Sequence, residues 1–317
     1  MKTAIIIATH RRPVLLERLL DDLVRNDLPA DCEIRVVENG VPSGAKEICE
    51  RKGPGGKLHY CYQPEGRKSA ALNRAVHDTD ADFLIFFDDD VSVPADIVQT
   101  YRSAAQRRGP GHFFGGPLAA DTEVSCPAEL AGYLPRSAIG WRPGNAEQVL
   151  PDANFEYFFG ANWAVFRQDL AKSGLFAEAL GITASRYSPL GEETEIQARL
   201  IEAGIRPVYV PGAMVRHHVP RECYTARWVR RRRFRLGVTD WARTEKAEQA
   251  HCRTIFGVPA WLVRAAAEQK LRAALSWAVR SNRRTDISMR GAYLSGLLYG
   301  AWTTANPGRR TNSDQAL

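Results

Sequence analysis

The stretch Phe83-Leu-Ile-Phe-Phe-Asp-Asp-Asp90 constrains the fold more than any other part of the chain. Five apolar or aromatic residues run directly into three carboxylates. An uninterrupted apolar run of this length predicts a strand buried on both faces, as in the interior of a parallel sheet. Acids at the carboxyl end of such a strand lie in the crevice where open α/β sheets bind ligands. Three adjacent carboxylates need a counter-charge to stay ionised. A hard divalent cation shared with phosphate oxygens would supply one, since Mg²⁺ commonly takes one or two carboxylates plus substrate phosphates. The plainer alternative is a solvated acidic turn capping the next helix, which fits poorly behind a wholly apolar strand.

The surrounding pattern agrees with a parallel sheet. Residues 4–8 predict a first strand, and Pro13 opens a helix where a missing N–H costs nothing. Leu15, Leu16, Leu19, Leu20, Leu23 and Val24 give that helix an apolar stripe. Strands are expected at 33–37, 58–62 and 83–87, with helices through Lys52, after Gly66 and from Pro94 to about Gly109. Further strands are expected at 112–118, 163–167 and 207–211, with a long loop over the site at 119–157. Gly191-Glu192-Glu193-Thr194-Glu195 begins another helix. Alternation of this kind implies right-handed crossovers and strand ends gathered along one edge, where Thr9, Glu38 and Asp88 should meet. Neither GxGxxG after the first strand nor GxxxxGK[ST] is present, so neither a dinucleotide fingerprint nor a P-loop is supported. A hydroxyl and a carboxylate can instead read a base and ribose, and Arg11 or Lys68 can meet phosphates. Acids in the first turn of a helix suit its dipole. Three within Glu192–Glu195 exceed what capping needs, which makes one a candidate general base.

Composition narrows the class without choosing the chemistry. The 317 residues are 44% hydrophobic and 25% charged, ordinary for a globular chain. The net charge of +7 is concentrated after residue 200, which points to a local anionic partner. The six cysteines show no CxxC pair or metal-type spacing and are read as reduced cytoplasmic thiols. The N-terminal apolar run is short and ends in His10-Arg11-Arg12, so it reads as a strand rather than a secretion signal. No stretch is long and apolar enough to span a bilayer as a helix.

Taken in order, the motifs resemble those of family 2 glycosyltransferases of the GT-A fold, over roughly residues 1–220. The resemblance rests on Ala8-Thr9-His10-Arg11, Val37-Glu38-Asn39-Gly40, Ala70-Ala71-Leu72-Asn73, Asp88-Asp89-Asp90, Gly160-Ala161-Asn162, Gly191-Glu192-Glu193 and His217 or His218. It implies an α/β, Rossmann-like, mostly parallel sheet flanked by helices, with a helical C-terminal extension. Nucleotide-sugar binding would fall in 1–118, the acceptor side in 119–220, a basic helical region in 221–306 and a polar tail in 307–317. The implied activity is inverting transfer from a UDP- or dTDP-sugar to a hydroxyl in polysaccharide or glycoconjugate assembly, with Mg²⁺ or Mn²⁺ as cofactor. Thr9 and Glu38 would contact the nucleoside, Glu38 standing where the family usually has Asp. Asp88 would approach the ribose, and Arg11, Asn39, Lys68, Asn73 and Asp89 complete the donor set. Asp90, with His217 or His218, would hold the metal. Glu193 matches the family's general base, and a Glu-Glu pair in place of Glu-Asp lets Glu192 share the role. Gly160 and Asn162 would face the acceptor.

The basic run Arg227–Arg235, with Trp228 and Phe234 interleaved, reads either as a solvated helix face or as an anchor at a membrane surface or around a phosphorylated ligand. Nucleic acid is not an expected partner, because no nucleic-acid module accompanies the charge. Within 259–280, Val263, Ala267, Leu271, Ala274 and Ala278 form the expected packing face, and Gly296 and Gly300 offer a close-packing spot. A cytoplasmic enzyme with a carbohydrate or lipid-linked acceptor follows, in peripheral contact with the inner membrane. The competing readings are a nucleotidyltransferase or sugar pyrophosphorylase, and a silent scaffold that binds partners through its basic helices.

Overall fold

The structure is a computed structural model that describes residues 1–25, 28–53, 56–152, 157–178, 180, 191–243, 253–278 and 283–306. By internal contacts it divides into two compact units. One holds Met1–Asp121, Arg136–Gly181 and Gly191–Val219; the other holds Thr122–Pro135 and the chain from Pro220.

The first unit is built on β1 (Thr3–Thr9), all seven of whose residues are buried. β2 (Cys32–Asn39), β3 (Leu58–Gln63) and β4 (Phe83–Asp88) join it in parallel, in the order β3-β2-β1-β4. The sheet continues through β6 (His112–Gly115), β8 (Gln148–Val149), β9 (Asn162–Phe166) and β10 (Arg206–Tyr209), in the order β9-β6-β10-β8. β9 runs antiparallel to both β4 and β6, so β6 and β10 recover the direction of the first four strands. The register sets Thr9 beside Glu38 and Ala8 beside Asp88, so the strand ends gather along one edge as the alternation predicts.

Period-two alternation divides the core between the two faces. Ile5, Ile7, Phe83, Ile85 and Phe87 pack with α1 (Pro13–Arg25), α2 (Ala45–Lys52) and α4 (Ile97–Arg108). Ala4, Ile6, Leu84 and Phe86 face α3 (Lys68–His77), α7 (Arg167–Ser173) and α8 (Glu192–Glu202). Phe86 stacks on Trp163 at a centroid distance of 4.7 Å, which fastens the reversed strand β9 to β4.

Several expected elements are revised. Residues 112–118 are not one strand: β6 ends at Gly115, and β7 (Leu118–Thr122) belongs to a second sheet with β5 (Val91–Ser92) and β11 (Val215–Val219). A Cβ at Gly116 would lie 1.8 Å from the Ala213 carbonyl oxygen, so the chain changes sheets where only glycine fits, followed by Pro117. The helix expected from Pro94 begins at Ile97. The expected loop at 119–157 contains α5 (Ala128–Ala131), α6 (Arg136–Ile139) and β8. His217 and His218, which follow the strand expected at 207–211, themselves lie inside a further strand, β11.

The second unit contains α9 (Ala226–Arg243), α10 (Ala260–Ala278) and α11 (Arg284–Ala305), with a small hairpin of β12 (Thr254–Ile255) and β13 (Val258–Pro259). α9 and α11 touch backbone to backbone. A Cβ at Gly237 would fall 2.2 Å from the Tyr293 carbonyl oxygen, and one at Gly296 would fall 2.0 Å from that of Phe234. Gly296→Ala should therefore force the helices apart, at a cost of about 1–3 kcal/mol, read as a lowered thermal midpoint. An unchanged midpoint would mean that the contact is not tight. On α10 the buried side is not the expected one. Leu262, Ala266 and Gln269 face inward, while Leu271 is 62% exposed. The amide of Gln269 donates to the Ile287 carbonyl oxygen at 2.7 Å, so a polar side chain is satisfied in the interior where apolarity alone would not place it. Among the described residues, no helix is long and apolar enough to cross a membrane.

Candidate active site

The acid triplet lies at the end of β4 and the turn after it, and each acid has a different environment. Asp89 is buried. It accepts a hydrogen bond from Thr9 Oγ1 at 2.8 Å and one from Arg12 Nη1 at 3.0 Å. Burial pushes its carboxyl up to about 6, against the pull of Arg12. Asp90 Oδ2 accepts from the same Arg12 nitrogen at 2.6 Å. Its Oδ1 is buried without a hydrogen-bond partner and lies 3.5 Å from His217 Nε2. Burial alone would raise Asp90, but His217, Arg12 and Lys68 outweigh it and hold the carboxyl down. Burial would conversely lower His217, and Asp90 raises it. Arg12 thus supplies the counter-charge that the triplet requires. The sequence offered Arg11 for phosphate contact and did not single out Arg12. Arg11 is exposed and sits in the left-handed region at φ 54°, turning the chain so that its neighbour Arg12 faces the acids.

The third acid joins the triplet to the glutamate pair. Lys68, at the start of α3, places Nζ 2.6 Å from Asp88 Oδ1 and 3.4 Å from Glu192 Oε1. Gly191 caps α8 in the left-handed conformation, at φ 95°, and of the three glutamates in the first turn Glu192 is buried. Glu195 is spoken for by Arg199 in an i,i+4 pair at 2.7 Å. Glu193 is half-buried beside Gly160, where an added Cβ would sit 3.4 Å from three of its carbons. Burial, then the charge of Glu192, pushes the Glu193 carboxyl up to about 8. A carboxyl raised above its ordinary range and packed against a glycine is suited to proton transfer.

The remaining sequence-selected residues hold the frame of the site. Glu38 is buried and accepts from Ser43 N at 2.6 Å, Ser43 Oγ at 2.8 Å and Tyr60 OH at 2.8 Å. Asn39 Nδ2 donates to the Thr9 carbonyl oxygen at 2.8 Å, tying the ends of β1 and β2 together. Asn73 donates to the Phe176 carbonyl oxygen and accepts from its N–H, both at 2.9 Å. Asn162 is wholly buried. Its amide donates to the Pro117 and Ala213 carbonyl oxygens at 3.0 and 2.7 Å, and its Oδ1 accepts from Tyr101 OH at 2.7 Å. His218 meets the triplet through its backbone, donating its N–H to the Asp90 carbonyl oxygen at 2.8 Å.

The donor set can be tested for a divalent cation. His217 Nδ1 lies 2.9 Å from the Ser137 carbonyl oxygen, the contact of an N–H donor. Nε2 then points at Asp90 Oδ1 either as a second N–H or as a lone pair. The lone-pair form is tolerable only with a cation between the two atoms. An imidazole fixed through its far nitrogen on a carbonyl, facing a carboxylate oxygen without a donor, is the usual surrounding of a metal ligand. The pair therefore fits Mg²⁺ or Mn²⁺ completed by ligands from a substrate. Among the described residues, no group of three or more His, Cys, Asp or Glu side chains is placed to hold an ion by itself.

The large, mostly parallel sheet flanked by helices, with a helical C-terminal region, is the GT-A glycosyltransferase fold. Residues 4–169 match the profile of glycosyl transferase family 2, and the chain is a member of that family. It is 27% identical over 252 residues to the succinoglycan biosynthesis protein ExoM of Rhizobium meliloti strain 1021, covering 77% of this chain and 75% of that protein. Among solved structures, the fold is similar to the mannosyltransferase PcManGT from Pyrobaculum calidifontis in complex with GDP-Man and Mn²⁺. That match has a TM-score of 0.58 and 18% identity, over 95% of this chain and 87% of the other. It is also similar to S. aureus TarS 1-349 in complex with UDP, with a TM-score of 0.54 and 13% identity, over 98% and 93% of the two chains.

Proposed function

We propose that this chain is an inverting, divalent-cation-dependent glycosyltransferase. It would move a sugar from a UDP- or dTDP-linked donor to a hydroxyl of a carbohydrate or lipid-linked acceptor in surface polysaccharide assembly. One observation carries the reading: Lys68 is the shared counter-ion of Asp88 and Glu192, 2.6 and 3.4 Å away. It draws the ribose-side Asp88 and the glutamate pair, far apart in sequence, into one site. Thr9, Glu38 and Asn39 shape the nucleoside end, with Asp88 toward the ribose. Arg11 and Lys68 face the diphosphate. Asp90 and His217 would hold Mg²⁺ or Mn²⁺, which when bound neutralises charge on the departing nucleoside diphosphate.

Glu193 takes the proton of the acceptor hydroxyl beside Gly160, and the oxygen attacks the anomeric carbon from the face opposite the leaving group. The donor class is supported by the nucleotides named with the similar structures, GDP-Man and UDP. The polysaccharide setting is supported by ExoM. Peripheral contact with the cytoplasmic face of a membrane belongs to the same reading. Its support is Trp261, Leu271 and Leu275, all exposed on α10.

Calorimetry with UDP, dTDP and GDP, each with and without Mn²⁺, tests the donor. The expected result is cation-dependent binding of a uracil or thymine nucleotide. Failure of all three to bind would overturn the proposal. Once a donor is found, NMR of the first-formed product should show the inverted anomer.

A further inference from the structure

We infer that the helical unit carries a second anion site, separate in its residues from the catalytic acids, that takes a phosphate or diphosphate group joined to an apolar moiety. Its side chains come from α9, α10 and α11, which line a cleft of about 610 Å³ that is open to solvent. That is ample for such a group, since small-molecule sites span roughly 300–1,000 Å³.

The sequence spacing makes the cavity basic. α9 carries seven arginines and one aspartate. Arg227, Arg230, Arg231 and Phe234 fall at i, i+3, i+4 and i+7, so one stripe of the helix lines the cavity. α10 adds Lys270 and α11 adds Arg284. No carboxylate lines the cavity among the described residues.

The acids of the three helices are engaged elsewhere. Glu268 pairs with Arg264 at 2.8 Å, Asp240 accepts from Tyr293 OH at 2.9 Å, and Asp286 accepts from Tyr133 OH. Arg227, Arg230, Arg231 and Lys270 form no ion pair among the described residues. The field of these cations is felt next door: burial lowers Arg235, and the charge of Arg231 lowers it further.

Like charges held together without a counter-ion favour an anion that can satisfy several at once. A multiply charged phosphate or diphosphate does so, and guanidinium groups match its oxygens in pairs. Phe234, Ile287 and Leu294 form the apolar side of the same cavity, beside the charges. A bare mineral anion would leave that side unused, whereas a phosphate ester with a hydrocarbon neighbour would cover it.

The site is tested on the full chain by titration calorimetry with inorganic pyrophosphate in EDTA, which separates it from any cation-dependent diphosphate binding at the catalytic acids. Pyrophosphate should bind to the wild type and to Asp90→Asn alike. Affinity should fall at least about tenfold in the Arg231→Gln/Lys270→Gln double variant, through loss of two charge-assisted contacts, and return in part with Lys270→Arg. Absence of binding in EDTA, or binding untouched by the double variant, would overturn the site. So would loss of binding in Asp90→Asn.

Flotation then identifies the source of the phosphate. Capture by phosphatidylcholine vesicles carrying phosphatidic acid, but not by phosphatidylcholine alone, with displacement by pyrophosphate, assigns a lipid headgroup. Pyrophosphate binding without capture assigns a free phosphorylated molecule. Neither arm depends on sugar transfer, so failure here and failure of the donor titration are distinguishable.

Discussion

Glu193→Gln should lower kcat by about 10²- to 10⁴-fold while leaving nucleotide affinity nearly unchanged, because glutamine keeps the shape of the side chain and loses only the ability to take a proton. The pH dependence gives a second readout. A general base works when deprotonated, so activity falls as pH drops through its pKa. The Glu193 carboxyl is pushed from an ordinary 4.5 to about 8 by burial and by Glu192. The acid limb of the kcat/KM profile should therefore have its midpoint well above 4.5, and Glu193→Gln should abolish that limb. Lys68 pulls the carboxyl down, so Lys68→Met should move the limb to higher pH. A profile centred near an ordinary carboxylate, or a glutamine variant that retains wild-type kcat, would remove Glu193 from the role and leave Glu192 as the candidate.

The second large effect is expected at Asp90. Asp90→Asn removes the charge that faces His217 and offers a buried oxygen without a hydrogen bond. Losing one member of a buried charge contact costs about 2–5 kcal/mol, so cation-dependent nucleotide affinity should weaken by at least about 30-fold. Asp89→Asn is the informative contrast. Asp89 is held by Thr9 and Arg12, so its replacement should loosen the turn and lower the thermal midpoint more than it alters cation dependence. Manganese titrations monitored by nucleotide binding separate the two. Equal losses in both variants would mean that the triplet acts as one electrostatic block rather than through Asp90.

Particular residues show what could be read before the structure. The strand Phe83–Phe87 declared itself, because five consecutive apolar residues are compatible with burial on both faces and little else. The helix start at Gly191, with its acids, was also legible locally, since acids gather in the first turn of a helix. Arg12 was not. Two arginines follow β1, and only the left-handed turn at Arg11 decides which of them faces the acids. The break at Gly116-Pro117 had a local signal that was passed over, since Gly115-Gly116-Pro117 is a poor strand sequence; the distant Ala213 carbonyl adds the obstacle to any side chain at 116. The inward side of α10 was missed because the buried Gln269 owes its place to the hydrogen bond it donates to another helix. Asn162 looked like a residue turned toward an acceptor, whereas its amide clamps the carbonyls of Pro117 and Ala213. For Gln269 and Asn162, the deciding atom belongs to a segment remote in sequence.

The reversed strand β9 also bears on how the chain is made. β1 to β4 leave the ribosome in succession and can pair as they emerge, each new strand finding its neighbour already present. β6 emerges next but has no place against β4, because the intervening position belongs to β9. Until Asn162–Phe166 has been synthesised, the nascent chain shows an unpaired edge along Phe83–Phe87, with Phe86 lacking the indole of Trp163 that later covers it. Translation pauses placed before residue 162 should therefore lengthen the exposure of a sticky edge, and pauses after residue 209 should be harmless to this sheet.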